Sequence, residues 1–285
     1  MGHGMATSLR RAGYTLNVFD VRSDVAQAFA RDGGCACATL PQLGAASDVV
    51  VSVVVNAAQT ESVLFGEGAL AASMAPGSAF VMCSTVAPQI SVDFEKRLEK
   101  LGILYIDAPI SGGAAKAASG EMTMMTAATP AAYAKAGAVL DAMAGKVYRL
   151  GNSAGSGSKV KVINQLLAGV HIAAAAEAMA LGLREGVDPD ALYEVITHSA
   201  GNSWMFENRM AHVLAGNYTP LSAVDIFVKD LGLVLDMARA SKFPLPLSST
   251  AHQMFMQASS AGYAREDDSA VIKIFPGIDL PKGPL

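Results

Sequence analysis

The chain has 285 residues, of which 52% are hydrophobic and 16% are charged. This composition excludes a disordered, highly solvated polymer, and the length favours two domains of roughly 100 to 200 residues each. The formal net charge of −4 offers no broad basic surface to a phosphate polymer, so nucleic acid is not an expected partner.

The cysteines, Cys35, Cys37 and Cys83, form an odd set without the paired spacing of metal ligands. They are predicted to be reduced, structural thiols, and no metal site is expected. We expect no membrane span, because His171 and Glu177 interrupt the longest apolar stretch. The opening residues lack the basic start and apolar core of a secretory signal, so the sequence favours a cytoplasmic protein.

The first half of the chain begins with a helix that ends near Ala12 and then alternates short β-branched runs with helix-like stretches. The run from Val49 to Val55 is nearly continuous in apolar character, as a strand buried on both faces requires. The alternation predicts an α/β fold, a Rossmann-type doubly wound parallel sheet with helices on both faces. The predicted strands are Leu16 to Phe19, Val49 to Val55, Ala79 to Met82, Leu104 to Ile106, Met122 to Thr126 and Lys146 to Leu150.

A change in amino-acid composition after Leu150 predicts a second domain. A run rich in glycine and serine follows, and we therefore predict domains at 1–151 and 152–285. The alanine-rich segment from Lys159 to Glu185 predicts one long helix, which Gly186 ends before Asp188 caps the next. Since no comparable strand pattern follows, the second domain is predicted to be all-α. Its further helices are predicted at Leu192 to Ser199, Trp204 to Leu214, Ala223 to Ser241 and Leu247 to Ala261.

A glycine at the start of the chain precedes an acidic residue at the separation typical of dinucleotide sites. Gly2 opens the first helix, and Asp20 follows the next strand at roughly the 20-residue spacing of the fingerprint. Such a glycine turn brings backbone N–H groups to a pyrophosphate, and the acid accepts the ribose hydroxyls. An ordinary helix start followed by an aspartate gives the same pattern. Because a doubly wound sheet normally begins with a strand before this turn, we expect that the first strand is missing here and that the native start lies upstream of Met1.

Two further motifs carry candidate chemistry. After a predicted strand, Ser111, Gly112 and Gly113 would expose consecutive N–H groups and a hydroxyl, which suits a carboxylate but also describes an ordinary loop. On the long helix, Lys161 shares a face with Asn164 or Gln165, three and four residues later. A lysine there can exchange a proton with a carbinol oxygen, while the amide positions the substrate.

Together these motifs resemble the β-hydroxyacid dehydrogenase family, in order and over essentially the whole chain. The resemblance implies that Lys161 is the acid/base and that the Ser111–Gly113 loop binds the substrate carboxylate, with Asn164 or Gln165 positioning the substrate. It also implies NAD as the cofactor. The residues implied for NAD binding are Met1, Gly2, Asp20, Val55, Asn56, Thr85 and Lys229.

The resemblance implies NAD-dependent oxidation of a small hydroxy acid by hydride transfer. The overall run of sequence is most similar to members that act on L-threonate, with tartronate semialdehyde reductase and 3-hydroxyisobutyrate dehydrogenase as alternatives. A homodimer or homotetramer is expected. A non-enzymatic nucleotide-binding module is the alternative of another class, and Lys161 argues against it because relatives without dehydrogenase activity typically lack this lysine.

Overall fold

The computed structural model describes residues 1–283, which divide into two compact units. The first unit is Met1–Lys161, and the second begins at Val162. The boundary lies within one continuous helix, Ser156–Arg184, whereas the sequence predicts a domain boundary in the turn before that helix.

The first unit alternates helices and strands. Its helices are α1 (Gly2–Arg11), α2 (Ser23–Arg31), α3 (Leu40–Ala45), α4 (Ala57–Phe65), α5 (Pro88–Glu99), α6 (Gly113–Ser119) and α7 (Pro130–Met143), with a 3₁₀ turn at Ala71–Ser73. Its strands are β1 (Asn17–Val18), β2 (Cys35–Ala36), β3 (Val49–Ser52), β4 (Ala79–Met82), β5 (Leu104–Asp107), β6 (Ile110–Ser111), β7 (Met122–Ala128) and β8 (Ala144–Arg149). Every predicted strand is present, and the two-residue strands β2 and β6 were not predicted.

The main sheet is mixed. Strands β3, β4 and β5 are parallel neighbours, as predicted. Strand β7 pairs antiparallel with β5, and β8 pairs parallel with β7. The predicted fold class is confirmed, with the difference that the last two strands run opposite to the first three.

Strands β5 and β6 both pair antiparallel with the same edge of β7, one after the other and in one continuous register. Asp107 pairs with Ala127, and Ser111 pairs with Thr123 on the same ladder. Between these pairs, the Met125 N–H donates to the Pro109 carbonyl at 2.9 Å. The chain from Asp107 to Ser111 is therefore held along one antiparallel ladder.

Strands β1 and β2 form a separate parallel pair, with Asn17 opposite Cys35. Within residues 1–283, β1 pairs only with β2, and β3 pairs only with β4. Asn17 Nδ2 donates to the Ala46 carbonyl, just before β3, at 2.8 Å.

The main sheet is buried on both faces, as a doubly wound fold requires. In β4, Ala79 and Val81 pack into one apolar cluster, while Phe80 and Met82 pack into another. The first cluster includes residues of α1 and α7, and the second includes residues of α4 and α5. Helices therefore cover both faces of the sheet.

The second unit is helical apart from one isolated bridge between Ala223 and Asp267, within the described part of the chain. Its helices are α8 (Ser156–Arg184, which begins in the first unit), α9 (Pro189–Thr197), α10 (Trp204–Leu214), α11 (Val224–Ser241) and α12 (Pro246–Ala258), followed by a π turn (Ser259–Tyr263) and a 3₁₀ helix (Asp268–Ile274). Gly186 adopts φ +74° after α8, and Asp188 caps α9 by accepting from the Ala191 N–H at 2.8 Å. Gly186 therefore ends α8 and Asp188 caps α9, as predicted from the sequence.

Helix α8 has the length and composition of a membrane-spanning helix, with a mean hydropathy of 1.7 over its most apolar window. Half of that window is buried within the structure. Val162, Ile172, Ala176 and Met179 of this helix are fully buried in the apolar core that the second unit forms. Packing inside the helical core accounts for the buried half of this apolar window.

Candidate active site

Lys161 is a buried lysine near the start of α8, with 6% of its surface exposed. Lys159, two residues earlier, is exposed. Because residues three and four apart share a helix face, Asn164 and Gln165 lie on the same side of α8 as Lys161. Of the two lysines, only Lys161 is therefore buried, and it lies on the same helix face as the amides of Asn164 and Gln165.

The first turn of α8 is held by the fully buried carboxylate of Asp107, at the end of β5. Asp107 Oδ2 accepts from the Gly155 and Ser158 backbone N–H groups at 2.8 and 2.9 Å, and Oδ1 accepts from Ser158 Oγ at 2.6 Å. An acid at a helix N-terminus satisfies donors that have no partner within the helix. Burial raises the pKa of Asp107 even though these hydrogen bonds act to lower it.

Close approach of the backbones explains the glycines in this segment. A Cβ on Gly157 would overlap the Met125 carbonyl oxygen and lie 2.9 Å from that of Asp107. Gly155 has φ +101°, which side-chain-bearing residues rarely adopt. These two glycines before Lys161 thus allow α8 to start directly against the end of β5 and the middle of β7.

The predicted carboxylate loop follows β6, which pairs with β7 on the same ladder as β5. Ser111 is the last residue of β6, and Gly112 and Gly113 adopt φ +127° and +76°. A Cβ on Gly112 would lie 2.9 Å from Lys116 Cδ, on a flexible side chain that can move, so it is the backbone conformation that requires glycine there. The pairing of Ser111 with Thr123 fixes the start of this loop on the sheet.

The two amides on α8 belong to a hydrogen-bonded chain that ends on α11. Gln165 Nε2 donates to the buried Asp230 Oδ2 at 2.6 Å, and Lys229 Nζ contacts the other oxygen, Oδ1. Asn164 Nδ2 donates to Gln165 Oε1 at 3.1 Å. Lys229, predicted to bind the cofactor, is thereby joined to the amides predicted to bind the substrate.

Residues predicted to bind the cofactor follow the carboxyl ends of parallel strands. Val55 and Asn56 come after β3, and Thr85 comes after β4. Asn56 Oδ1 caps α4 by accepting from the Gln59 N–H at 2.9 Å. Ser84 Oγ donates to the Val54 carbonyl at 2.9 Å, which ties the loops after β3 and β4 together. In open α/β sheets, ligands bind at such strand ends.

Asp20 follows β1, where its carboxylate oxygen accepts from the Arg22 N–H at 2.9 Å and lies 3.6 Å from Arg22 Nε. Gly2 opens α1, and Met1 precedes it as the N-cap residue. A carboxylate at Asp20 and amide or hydroxyl groups at Asn56 and Thr85 fit the hydroxyls and phosphates of a dinucleotide. We expect these residues to hold the cofactor.

The cysteines take no part in these clusters. Burial raises the pKa of the Cys83 thiol to about 12, which leaves it a neutral, weak nucleophile at physiological pH. Cys35 and Cys37 lie at β2 and directly after it. Within the described residues, no group of three or more His, Cys, Asp or Glu side chains could hold a metal ion.

Comparisons with known proteins agree on one family. A family model described as the NAD binding domain of 6-phosphogluconate dehydrogenase matches residues 1–151, and one described as NAD-binding of NADP-dependent 3-hydroxyisobutyrate dehydrogenase matches residues 155–275. A protein of Cupriavidus necator named L-threonate dehydrogenase is 66% identical, over 99% of this chain and 95% of its own length. A protein of the same name from Pectobacterium atrosepticum is 52% identical, over 99% of this chain and 93% of its own.

The chain belongs to the β-hydroxyacid dehydrogenase family. A crystal structure of 3-hydroxyisobutyrate dehydrogenase from Salmonella typhimurium has a TM-score of 0.93 and 53% sequence identity, and the match covers 96% of each chain. As a family member with these NAD-binding domains, the chain is an NAD-dependent hydroxy-acid dehydrogenase. The predictions of family, enzyme class and cofactor are confirmed, whereas the roles of the individual site residues stay predictions.

Two residues of this family site were not predicted from the sequence, Asp107 as the anchor of α8 and Asp230 as the partner of Gln165. Asp107 ends the apolar run that begins at Leu104. Asp230 follows Lys229 and precedes the buried Leu231 on α11. A fully buried carboxylate needs hydrogen-bond donors, so an acid within an apolar strand or on the buried face of a helix was the signal available.

Proposed function

We propose that this dehydrogenase oxidises L-threonate with NAD. The observation that carries this proposal is the full-length similarity, at 66% and 52% identity, to proteins named L-threonate dehydrogenase. The buried Lys161 beside Asn164 and Gln165 supports the acid–base step that such an oxidation needs.

In the proposed reaction, the neutral amine of Lys161 takes the proton of the carbinol hydroxyl as hydride leaves the carbinol carbon. When bound, NAD supplies the hydride acceptor. The loop Ser111–Gly113 binds the substrate carboxylate through backbone N–H groups and the Ser111 hydroxyl. Asp107, by fixing the first turn of α8, holds the backbone that carries Lys161.

A panel of hydroxy acids tests the substrate. Purified enzyme is assayed for NADH formation with L-threonate, 3-hydroxyisobutyrate and glycerate, the reduced form of tartronate semialdehyde. We expect the highest kcat/KM with L-threonate. A higher kcat/KM with either other acid would make that acid the substrate in place of L-threonate, and no turnover with any of the three would point to a different hydroxy acid.

3-Hydroxyisobutyrate is the second candidate, because the Salmonella typhimurium structure with a TM-score of 0.93 carries that name. The two substrates differ in polarity, since L-threonate has three hydroxyls and 3-hydroxyisobutyrate has one hydroxyl and a methyl group. The assay with both acids, at equal concentrations, therefore decides between a polar and an apolar substrate pocket.

We also propose that the enzyme is a homo-oligomer. An apolar stripe on α8 supports this, because Ile163 and Leu167 are 49% and 52% exposed and Leu181 is exposed further along. Exposed apolar patches commonly mark protein interfaces. Light scattering of the wild type should give a dimer or tetramer mass, and Leu167→Glu should shift it toward the monomer. A monomeric wild type would refute the proposal.

A further inference from the structure

The buried carboxylate of Asp230 lies at the centre of the amide chain on α8 and α11. Only 2% of Asp230 is exposed, and its two oxygens have different partners, Lys229 on one side and Gln165 on the other. A carboxylate has no proton to donate, so every partner must present an N–H or O–H group to it. Asp230 thus determines which end of the Gln165 amide faces α11.

This constraint passes to Asn164. With Nε2 directed to Asp230, Gln165 presents its oxygen Oε1 to Asn164, and only the Asn164 amide nitrogen can complement it. Since the amide nitrogen of Asn164 faces Gln165, its oxygen Oδ1 points away from Gln165. A flipped Gln165 would bring two acceptor oxygens together at the 2.6 Å separation that the donor now occupies.

The side-chain amides of Gln165 and Asn164 differ in how well their polar atoms are placed to bind a ligand. Both polar atoms of Gln165 are engaged by Asp230 and Asn164, and the residue is 8% exposed. Asn164 is half-buried and follows Lys161 by one helical turn. Asn164 is therefore the better placed of the two to meet a substrate.

Close packing keeps this arrangement rigid. One turn beyond Gln165, a Cβ on Gly169 would lie 2.9 Å from both Cδ atoms of Leu231, the neighbour of Asp230. Helices α8 and α11 therefore approach closely beside the amide chain, and Leu231 is fully buried. Rigid support of this kind is what a preoriented binding group requires.

We propose that Asp230 is a positioning residue for the substrate: acting through Gln165, it holds the Asn164 amide with Oδ1 outward, as the acceptor for a hydroxyl of the hydroxy acid. This rests on the proposed function only in that the ligand is a hydroxy acid. It assigns substrate contact to Asn164 and support to Gln165, which the sequence left open.

A double-mutant cycle tests the coupling. Asp230→Asn keeps the shape but can donate as well as accept, so Gln165 and Asn164 are no longer held in one orientation. We expect kcat/KM for the hydroxy acid to fall roughly 10-fold in Asp230→Asn and roughly 10- to 100-fold in Asn164→Ala. In the Asn164→Ala background, Asp230→Asn should change kcat/KM less than about twofold, because both act through one group.

A rescue variant separates orientation from packing. In the double variant Gln165→Glu/Asp230→Asn, the new amide at position 230 donates to the new carboxylate at position 165. The other oxygen of that carboxylate accepts from Asn164, so the Asn164 oxygen again lies outward. We expect this double variant to recover most of the kcat/KM lost in Asp230→Asn. Gln165→Glu alone should be worse than the double variant, because two carboxylates then meet. Asp236→Asn, an exposed change on the same helix, is the control.

Several outcomes would overturn the proposal. Multiplicative losses in the cycle would mean that Asp230 acts independently of Asn164. A rise in KM for NAD without a change in KM for the hydroxy acid would assign Asp230 to Lys229 instead. A lower melting temperature with unchanged kinetics would make it a packing residue. If wild type does not oxidise L-threonate, that proposed substrate fails, and the cycle is run on the panel acid it oxidises fastest.

Discussion

Burial separates the two lysines at the start of α8, and this difference leads to a matched pair of variants. Lys161→Met keeps the aliphatic bulk and removes the proton carrier, so kcat should fall roughly 10²- to 10⁴-fold. NAD affinity and melting temperature should stay close to wild type. Lys159→Met, at the exposed neighbour, should keep full turnover. Turnover in Lys161→Met equal to that of Lys159→Met would remove Lys161 from the mechanism.

Asp20 leads to a prediction about the cofactor. Its carboxylate can accept from both ribose hydroxyls but repels a 2′-phosphate, so NAD should give a higher kcat/KM than NADP. Asp20→Asn should narrow the NAD-to-NADP ratio by roughly tenfold, because the repulsion is removed while Arg22 remains beside the site. Initial rates with both cofactors measure this ratio, with Asp24→Asn as the exposed control. An unchanged ratio would show that Asp20 does not contact the ribose.

The roles of individual site residues could be predicted from the sequence to different extents. Helical periodicity fixes which side chains share a face, so the spacing from Lys161 to Asn164 made this lysine a candidate. Its role as the acid/base was implied only by the family resemblance. Whether Asn164 or Gln165 meets the substrate could not be predicted, because the answer depends on Asp230. That acid is more than sixty residues away along the chain and reaches Gln165 only after folding.

At the scale of elements, Asp107 joins the sheet to the start of α8. Asp107→Ala would leave the Gly155 and Ser158 N–H groups and the Ser158 hydroxyl buried without their acceptor. We expect the free energy of unfolding to fall by about 2–4 kcal/mol, with a loss of kcat because the turn before Lys161 loosens. Chemical denaturation and initial rates measure both effects. Asp141→Ala, on the exposed side of α7, is the control, and equal stability of the two variants would contradict the anchoring role.

Strand and helix positions were more predictable than strand directions. Apolar runs located β4 and the turn chemistry of Gly186 and Asp188 located the end of α8 and the start of α9, because both signals are local. The reversal of β7 was not predictable from these signals, since hydrophobicity does not encode direction. Strand β6 was missed because its two residues are too short to show periodicity and are ordered by pairing with β7.

At the scale of the whole molecule, apolar composition does not exclude buried charge. In the second unit, Arg209 contacts the fully buried Asp268, and His212 lies 3.0 Å from Asp267. Burial acts to raise the pKa of Asp267, but hydrogen bonds from His212, Ser269 and the Leu221 N–H hold it below the ordinary value. The pKa values of the neighbouring acids Asp267 and Asp268 thus shift in opposite directions. A rise in pH therefore changes the stability that each acid contributes with opposite sign.

Asp268 provides the corresponding prediction of pH dependence. Burial raises its pKa from 3.8 to about 6, against the attraction of Arg209, so the folded chain binds this proton more tightly than the unfolded chain. Stability from this group is therefore fully present below pH 3.8 and lost as pH rises through about 6. Asp268→Asn keeps the neutral form at every pH. The free energy of unfolding of the wild type should accordingly fall by about 3 kcal/mol relative to Asp268→Asn between roughly pH 4 and 7. Denaturation at several pH values measures this difference, with Asp279→Asn as an exposed control. A difference that does not change with pH would mean that Arg209 keeps Asp268 ionised throughout.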